Sequence, residues 1–179
     1  FAKAEGADAA LVVVPYYNKP SQDGLYAHFA HLADKSDLPI ILYNVPGRTV
    51  ADLLPETVVR LAEIPSIVGI KDASGNLARV SSHTIGCGRR FCQLSGHDDM
   101  AVAFNAAGGV GSISVPANVA PRLCADLQVA SLRGDRDAAI AINNVLQLLH
   151  LALFADTSPG PTKYAVSRIH DWFDPEVRL

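Results

Sequence analysis

Short apolar runs alternate with amphipathic stretches through residue 115 of this 179-residue chain. Each run has four to seven residues, and most are rich in Val and Ile and bounded by Gly, Pro, Asn or Asp. The runs are residues 9–14, 39–45, 67–70, 91–94 and 109–115. Because they are apolar almost throughout, they predict strands buried on both faces, as in a parallel sheet covered by helices.

Apolar residues at helical spacing fill the gaps between these strands. One helix is predicted over residues 22–35 after Ser21, and another begins at Pro55, a residue favoured in the first helical turn. Further helices are predicted over residues 77–85, 98–107, 119–132, 135–154 and 161–172, with Gly134 as a C-terminal stop after the third of these. Alternation of strands and helices every 20–30 residues or so predicts parallel strands joined by crossover helices.

Five parallel strands fit either an open sheet or part of a closed barrel. A TIM (β/α)8 barrel takes about 250 residues, so this α/β chain would be an incomplete one, with its first three strands absent from the sequence. Residues 1–118 would then hold strands 4–8 with their helices. Residues 119–179 would hold the last barrel helix and a C-terminal helical region. The opening residues 1–6 resemble the last turns of a helix, which also leads us to expect an incomplete chain.

Composition excludes several classes of function. The formal net charge is −3 and the basic residues are scattered, so neither nucleic acid nor a membrane surface is an expected partner. No apolar run approaches the roughly 20 residues that cross a bilayer. The three cysteines form no CxxC pair, which favours reduced thiols and a cytoplasmic location. The six histidines show no trusted metal-ligand spacing, and glycines 108, 109 and 111 form no phosphate loop, so no cofactor is expected.

Lys71 is the sharpest chemical candidate in the sequence. It directly follows the apolar run 67–70, and loops at the carboxyl ends of parallel strands build active sites in βα architectures. Partial burial disfavours the ammonium form and frees the amine to act as a nucleophile. The alternative is a lysine that pairs with Asp72 or extends to solvent.

Three further polar residues lie at neighbouring strand ends. Tyr43 ends the strand Ile40-Ile41-Leu42 within the second run and has a phenol suited to proton transfer, although an aromatic filler would look the same. Tyr17 has the same two interpretations. Arg48 follows a Pro-Gly turn and has the guanidinium geometry to hold a carboxylate through two hydrogen bonds, although an isolated loop arginine is more often simply solvated.

Several motifs in series resemble those of the dihydrodipicolinate synthase family, in order and in spacing, over essentially the whole chain. They are Pro15-Tyr16-Tyr17-Asn18-Lys19-Pro20, Leu42-Tyr43-Asn44-Val45-Pro46-Gly47-Arg48-Thr49, Gly69-Ile70-Lys71-Asp72-Ala73-Ser74-Gly75, Leu94-Ser95-Gly96, Gly111-Ser112-Ile113-Ser114-Val115 and Ser158-Pro159-Gly160-Pro161-Thr162-Lys163. The chain departs from the family at His97, where Asp is common. The Thr-Thr pair of the family's N-terminal strands lies outside this sequence.

The resemblance implies a class I aldolase in which Lys71 forms a Schiff base with pyruvate. It implies that Tyr43 shuttles protons and that Tyr17 completes a proton relay in a neighbouring subunit. Arg48 would bind the carboxylate of aspartate semialdehyde, and Gly96 and the backbone at Ile113 would line the pocket. The implied product is 4-hydroxy-tetrahydrodipicolinate, an intermediate of lysine and diaminopimelate biosynthesis. The resemblance also implies a homotetramer built from tight dimers.

Three alternatives stay open at the level of sequence. N-acetylneuraminate lyase and 2-keto-3-deoxy sugar acid aldolases use a similar barrel, lysine and tyrosine, although Arg48 favours a short second substrate with a carboxylate. A non-catalytic pyruvate-binding sensor on the same scaffold would not need the intact set of Lys71, Tyr43, Tyr17 and Arg48. An open-sheet nucleotide-binding domain lacks its phosphate fingerprint here.

Overall fold

Four parallel strands form the sheet of this protein, whose computed structural model describes residues 1–178. Within those residues they are β1 (Ala10–Val13), β2 (Ile40–Asn44), β3 (Ile67–Asp72) and β4 (Cys92–Ser95), hydrogen-bonded in chain order. All three pairings are parallel. The α/β class and the first four predicted strands are therefore confirmed.

Four helices accompany these strands, and their ends follow local capping chemistry. They are α1 (Gln22–Lys35), α2 (Pro46–Thr49), α3 (Pro55–Ala62) and α4 (Ala78–Cys87). The Ser21 side chain accepts a hydrogen bond from the Gly24 N–H and so caps α1. Pro55 occupies the first turn of α3, where its missing N–H costs nothing. The sequence did not predict α2, a single turn that replaces the expected Pro-Gly turn.

The later part of the chain is helical. A 3₁₀ turn (Asp98–Met100) leads into α5 (Ala101–Ala106), and a second 3₁₀ turn (Pro116–Asn118) precedes α6 (Pro121–Arg133), α7 (Arg136–Leu153) and α8 (Gly160–Ile169). Gly134 ends α6 in a left-handed conformation with φ of 77°, as the C-terminal stop requires. The Asp135 carboxylate then accepts from the Ala138 N–H and starts α7.

The fifth predicted strand, residues 109–115, does not form. Only Ser112 occupies a bridge position there. The Val110 N–H donates to the Gln93 carbonyl of β4, but farther along the Val115 N–H donates to the Asp98 carboxylate at 3.0 Å and not to a strand. Glycine in this stretch also offers no side chain to pack, which weakens a ladder further.

The chain divides into two compact units. The first comprises Phe1–Gly96 with Ala107–Val110, and the second comprises His97–Ala106 with the residues from Gly111 onward. In the first unit, side chains from the sheet, α1 and α3 form one apolar core around Phe29, Leu42 and Ile70. In the second unit, α6 and α7 pack through Leu127, Ala139 and others. The boundary expected at residue 118 stays a prediction.

Gly69 permits close approach of β3 and β4. A Cβ atom built there would collide with the Cys92 carbonyl oxygen and lie 2.7 Å from the Cys92 Cβ. The obstruction includes backbone, which cannot rotate away, so this position has room only for hydrogen. The strand that ends in Lys71 therefore depends on a glycine two residues before the lysine.

Replacing Gly69 with alanine in the full-length protein should lower the free energy of unfolding by about 1–3 kcal/mol, because overpacking here must separate two backbones. Gly160→Ala is the matched control, since a Cβ at Gly160 meets no atom within 4 Å. Urea unfolding of both variants checks this expectation. Equal unfolding midpoints for the two variants would contradict it.

Candidate active site

Lys71 and Tyr43 lie side by side at the carboxyl ends of two adjacent strands. The parallel register of β2 and β3 pairs Tyr43 with Lys71. The lysine Nζ atom lies 4.3 Å from the centroid of the tyrosine ring. Both side chains are half-buried. The structure thus brings together the amine and one phenol that the sequence singled out.

Alternation along the strands explains why these two side chains share a face. In β2, Leu42 and Asn44 are buried while Tyr43 is less so. In β3, Ile70 and Asp72 are buried on either side of the less buried Lys71. Successive side chains of a strand point to opposite faces, so residues paired in register lie on the same face. The amine and the phenol are therefore set by the sheet itself and do not depend on a loop.

Gly96 lies directly beside the end of the lysine-bearing strand. Its N–H donates to the Asp72 carbonyl at 2.7 Å. A Cβ atom at Gly96 would approach the Cβ of Ala73 to 2.6 Å, so a side chain would push the two segments apart. The position requires glycine for close backbone approach. Its predicted role in substrate binding stays a prediction.

Arg48 projects from α2, which begins two residues after β2 ends. The side chain is exposed. The single turn is closed by the Thr49 hydroxyl, which donates to the carbonyls of Val45 and Ala51. Val50 then takes a left-handed conformation with φ of 59°, and its N–H donates to the Pro46 carbonyl. The guanidinium is thus carried by a short, tightly closed turn.

Tyr17 lies on the loop after β1 and is 94% exposed. Its φ of 61° and that of Lys19, 46°, are left-handed values that cost a non-glycine residue free energy. The strained loop holds a large aromatic ring in solvent, where the ring gains no free energy from burial. The predicted role of Tyr17 in a relay to a neighbouring subunit stays a prediction.

Ile113 belongs to the second compact unit. Its side chain is 36% exposed. Asp98, which is buried, accepts from the Val115 N–H, and the Ser114 hydroxyl accepts from the Ala117 N–H at 3.1 Å. These bonds fix the backbone on the C-terminal side of Ile113. Its predicted role in lining a pocket stays a prediction.

A polar network that no motif predicts holds the far end of residues 45–54, the Arg48 segment between β2 and α3. Asn44, buried at the end of β2, donates to the Asp52 carboxylate at 2.9 Å and accepts from the Leu53 N–H at 3.0 Å. Arg79 of α4 donates to both Asp52 oxygens, at 2.7 and 2.6 Å. The hydrogen bonds from Arg79 chiefly lower the pKa of Asp52, and Asp52 in turn raises the pKa of Arg79. The one signal in the sequence was Asn44 itself, a polar residue at a position where alternation predicts burial.

Other potential ligands and nucleophiles of the described residues do not form a second centre. Within residues 1–178, no group of three or more His, Cys, Asp or Glu side chains is arranged to hold a metal ion. In the same residues, no helix combines the length and the apolarity needed to span a bilayer. Burial raises the pKa of each cysteine thiol, that of Cys87 to about 11. These thiols therefore stay protonated near neutral pH.

A parallel α/β scaffold thus carries a half-buried lysine and a half-buried tyrosine at adjacent strand ends. The sequence model of the dihydrodipicolinate synthetase family matches residues 1–178. The chain belongs to that family. The match confirms the predicted family. The predicted barrel fold is confirmed as well, and this chain forms part of such a barrel.

Curated relatives with high identity to this chain include two synthases of the same name. The 4-hydroxy-tetrahydrodipicolinate synthase of Sphingopyxis alaskensis is 61% identical over 99% of this chain, and that of Zymomonas mobilis is 60% identical over 97% of it. The chain spans about 61% and 60% of the length of these two relatives.

Solved structures agree with the fold. The dihydrodipicolinate synthase of Aquifex aeolicus is 43% identical with a TM-score of 0.95, over 99% of this chain and 61% of that one. The chloride-inhibited enzyme of Acinetobacter baumannii, solved in complex with pyruvate, is 44% identical with a TM-score of 0.95 and the same coverage. The four-stranded sheet is thus the corresponding part of a complete barrel enzyme.

Cys87 provides a pH-dependent test of the local packing. With a pKa near 11, only about one Cys87 in ten thousand is a thiolate at pH 7, and the thiolate is the form that is alkylated. The rate of alkylation by iodoacetamide in the native full-length protein should therefore rise about tenfold per pH unit from pH 7 to 10. Peptide mass spectrometry resolves Cys87 from the other cysteines. The urea-unfolded protein is the control, and a native rate that levels off at pH 8–9, as the unfolded one should, would contradict the expectation.

Proposed function

We propose that the full-length protein is a lyase that condenses pyruvate with L-aspartate 4-semialdehyde through a Schiff base on Lys71, giving 4-hydroxy-tetrahydrodipicolinate. The observation that carries the proposal is the Lys71 amine held 4.3 Å from the Tyr43 ring by strand register. Relatives at about 60% identity bear the name of this synthase. The activity would serve lysine and diaminopimelate biosynthesis.

The chemistry begins with attack of the neutral Lys71 amine on the ketone carbon of pyruvate. A carbon–nitrogen bond forms, the carbonyl oxygen leaves as water, and an imine results. The imine withdraws electrons, so the pyruvate methyl group loses a proton and becomes an enamine. The enamine carbon then attacks the aldehyde of the second substrate. The amino group of that substrate attacks the imine carbon, which closes the ring and releases the Lys71 amine. Each of these steps needs a proton to be delivered or removed, so proton transfer is a main task of the protein.

Tyr43 is the group best situated for that proton transfer. A phenol beside the amine can donate to the departing oxygen of the carbinolamine and take the proton back in a later step. The exposed Tyr17 would extend the relay into a neighbouring subunit, with its strained loop supplying the fixed backbone. This role fits a homotetramer built from tight dimers, which we also propose. We propose a cytoplasmic location as well.

Arg48 would bind the carboxylate of aspartate semialdehyde. Its guanidinium matches a carboxylate with two parallel hydrogen bonds, and it stands on a closed turn that follows the strand of Tyr43. Gly96, where a side chain is excluded, and the backbone at Ile113 would line the pyruvate pocket. The pyruvate complex of the Acinetobacter baumannii relative supports pyruvate as the first substrate.

Another Schiff-base aldolase of the same family, such as N-acetylneuraminate lyase or a 2-keto-3-deoxy sugar acid aldolase, would use the same lysine and tyrosine. A non-catalytic pyruvate sensor is a further alternative. Turnover with pyruvate and aspartate semialdehyde, compared with cleavage of sialic acid and of 2-keto-3-deoxygluconate, separates these functions. The synthase turns over only the first pair, and the sensor turns over none.

Borohydride reduction with pyruvate tests the proposed nucleophile. The full-length protein should gain the mass of one reduced pyruvyl group on the peptide that contains Lys71, because reduction converts the imine into a stable secondary amine. Lys71→Ala should gain none, while Lys35→Ala, which removes an exposed lysine at the end of α1, should be labelled like the parent protein. An adduct on a different lysine, or an unmodified Lys71 peptide, would contradict the proposal.

A further inference from the structure

The Arg48 segment between β2 and α3 begins directly after Asn44, and the buried side-chain amide of Asn44 also bonds to the far end of the segment. Asn44 is the last residue of β2, before the segment, and it bonds to Asp52 and to the Leu53 N–H at its far end. The intervening single turn α2 is closed by local hydrogen bonds, but an isolated turn of helix is unstable in water. Its orientation is therefore set by its anchors.

Arg79 supplies the strongest of these anchors. It donates through both terminal nitrogens to the two Asp52 oxygens, a two-point geometry that fixes angle as well as distance. The Arg79 side chain is only 12% exposed and that of Asp52 is 35% exposed, so solvent screens the pair weakly. Arg79 also donates to the Leu53 carbonyl at 3.3 Å. Asp72 and Glu56 add favourable charge around it.

Gln22 of α1 holds the same segment from another side. Its amide donates to the Asp52 carbonyl at 2.7 Å and accepts from the Leu54 N–H and the Thr57 hydroxyl. Residues 52–54 are thus bonded to β2, α1 and α4 at once. Within the first compact unit, the end of the Arg48 segment is fixed by three elements, and only the link to α4 is an ion pair.

We propose that Arg79, acting through Asp52, is a positioning residue that holds the Arg48 segment and thereby sets the affinity for the second, carboxylate-bearing substrate. The inference rests on the proposed function of Arg48. Lys71 and Tyr43 are held by strand pairing and not by this ion pair, so the two substrates respond differently when the ion pair is lost. Arg79 does not act on the reacting atoms.

Steady-state kinetics of Arg79→Met and Asp52→Asn in the full-length protein test this split. Each variant should raise the KM for aspartate semialdehyde roughly 10- to 100-fold, because a misplaced guanidinium loses its preorganised grip. The KM for pyruvate and the yield of the borohydride adduct on Lys71 should change less than about twofold, since the strand pair is untouched. Because both substitutions break one interaction, the double variant should resemble either single variant.

Two further variants separate positioning from general stability. Arg79→Lys keeps the charge but not the two-point geometry, so it should restore part of the affinity for aspartate semialdehyde. Arg60→Met is the matched control, because Arg60 forms an exposed ion pair with Asp23 and should leave both KM values unchanged. If Arg79→Met does not fold, Asp52→Asn, which keeps shape and volume, carries the same expectation.

An unchanged KM for aspartate semialdehyde, or an equal rise in the KM of both substrates, would overturn the inference while the adduct on Lys71 in the parent protein stays intact. Absence of that adduct from the parent protein would instead overturn the proposed function, and the inference with it.

Discussion

The parallel pairing of β2 with β3 is the constraint from which the site follows. Register places Tyr43 opposite Lys71, and alternation turns both away from the buried face that carries Leu42 and Ile70. A shift of one residue in either strand would send the lysine to the other face and separate the pair. Gly69 belongs to the same constraint, because it lets β4 approach β3 closely. The relation between amine and phenol is therefore a property of the sheet.

The loops around this pair are held by different means. Asp72 stabilises the turn after β3 by accepting from the Ser74 N–H at 2.7 Å. Across the strand ends, the Ala73 N–H donates to the Asn44 carbonyl and the Gly96 N–H donates to the Asp72 carbonyl. The Arg48 segment depends on side chains from three elements and on an ion pair. Strand pairing thus holds Lys71, the proposed nucleophile, while a polar network holds the end of the segment that carries Arg48. This division would let specificity for the second substrate change without disturbing imine formation.

Much of the fold could be predicted from local sequence signals, because these signals have local causes. Ser21, Pro55 and Gly134 mark helix ends through hydrogen bonds or dihedral angles that depend on a few neighbouring residues. The apolar runs predicted four strands correctly. The fifth, at 109–115, did not form: the Val110 N–H bonds to Gln93 of β4, but the Val115 N–H bonds to the Asp98 side chain, a contact that no local pattern reveals.

The candidate site was predictable in part for the same reason. Lys71 and Tyr43 stood at strand ends, so parallel pairing alone was enough to expect them together. The Asp52–Arg79 ion pair joins residues far apart in sequence, and neither residue stands in a motif, so nothing in the sequence linked them. The exposure of Tyr17 and the left-handed backbone values of its loop, which occur at non-glycine residues, are features that sequence patterns do not predict.

A crystal structure of the full-length protein soaked with pyruvate tests the central claim most directly. We predict continuous electron density from the Lys71 Nζ atom to the C2 carbon of pyruvate, with the Tyr43 hydroxyl within hydrogen-bonding distance of the adduct. Pyruvate bound without a covalent bond to Lys71, or linked to another lysine while Lys71 points away from Tyr43, would contradict the account.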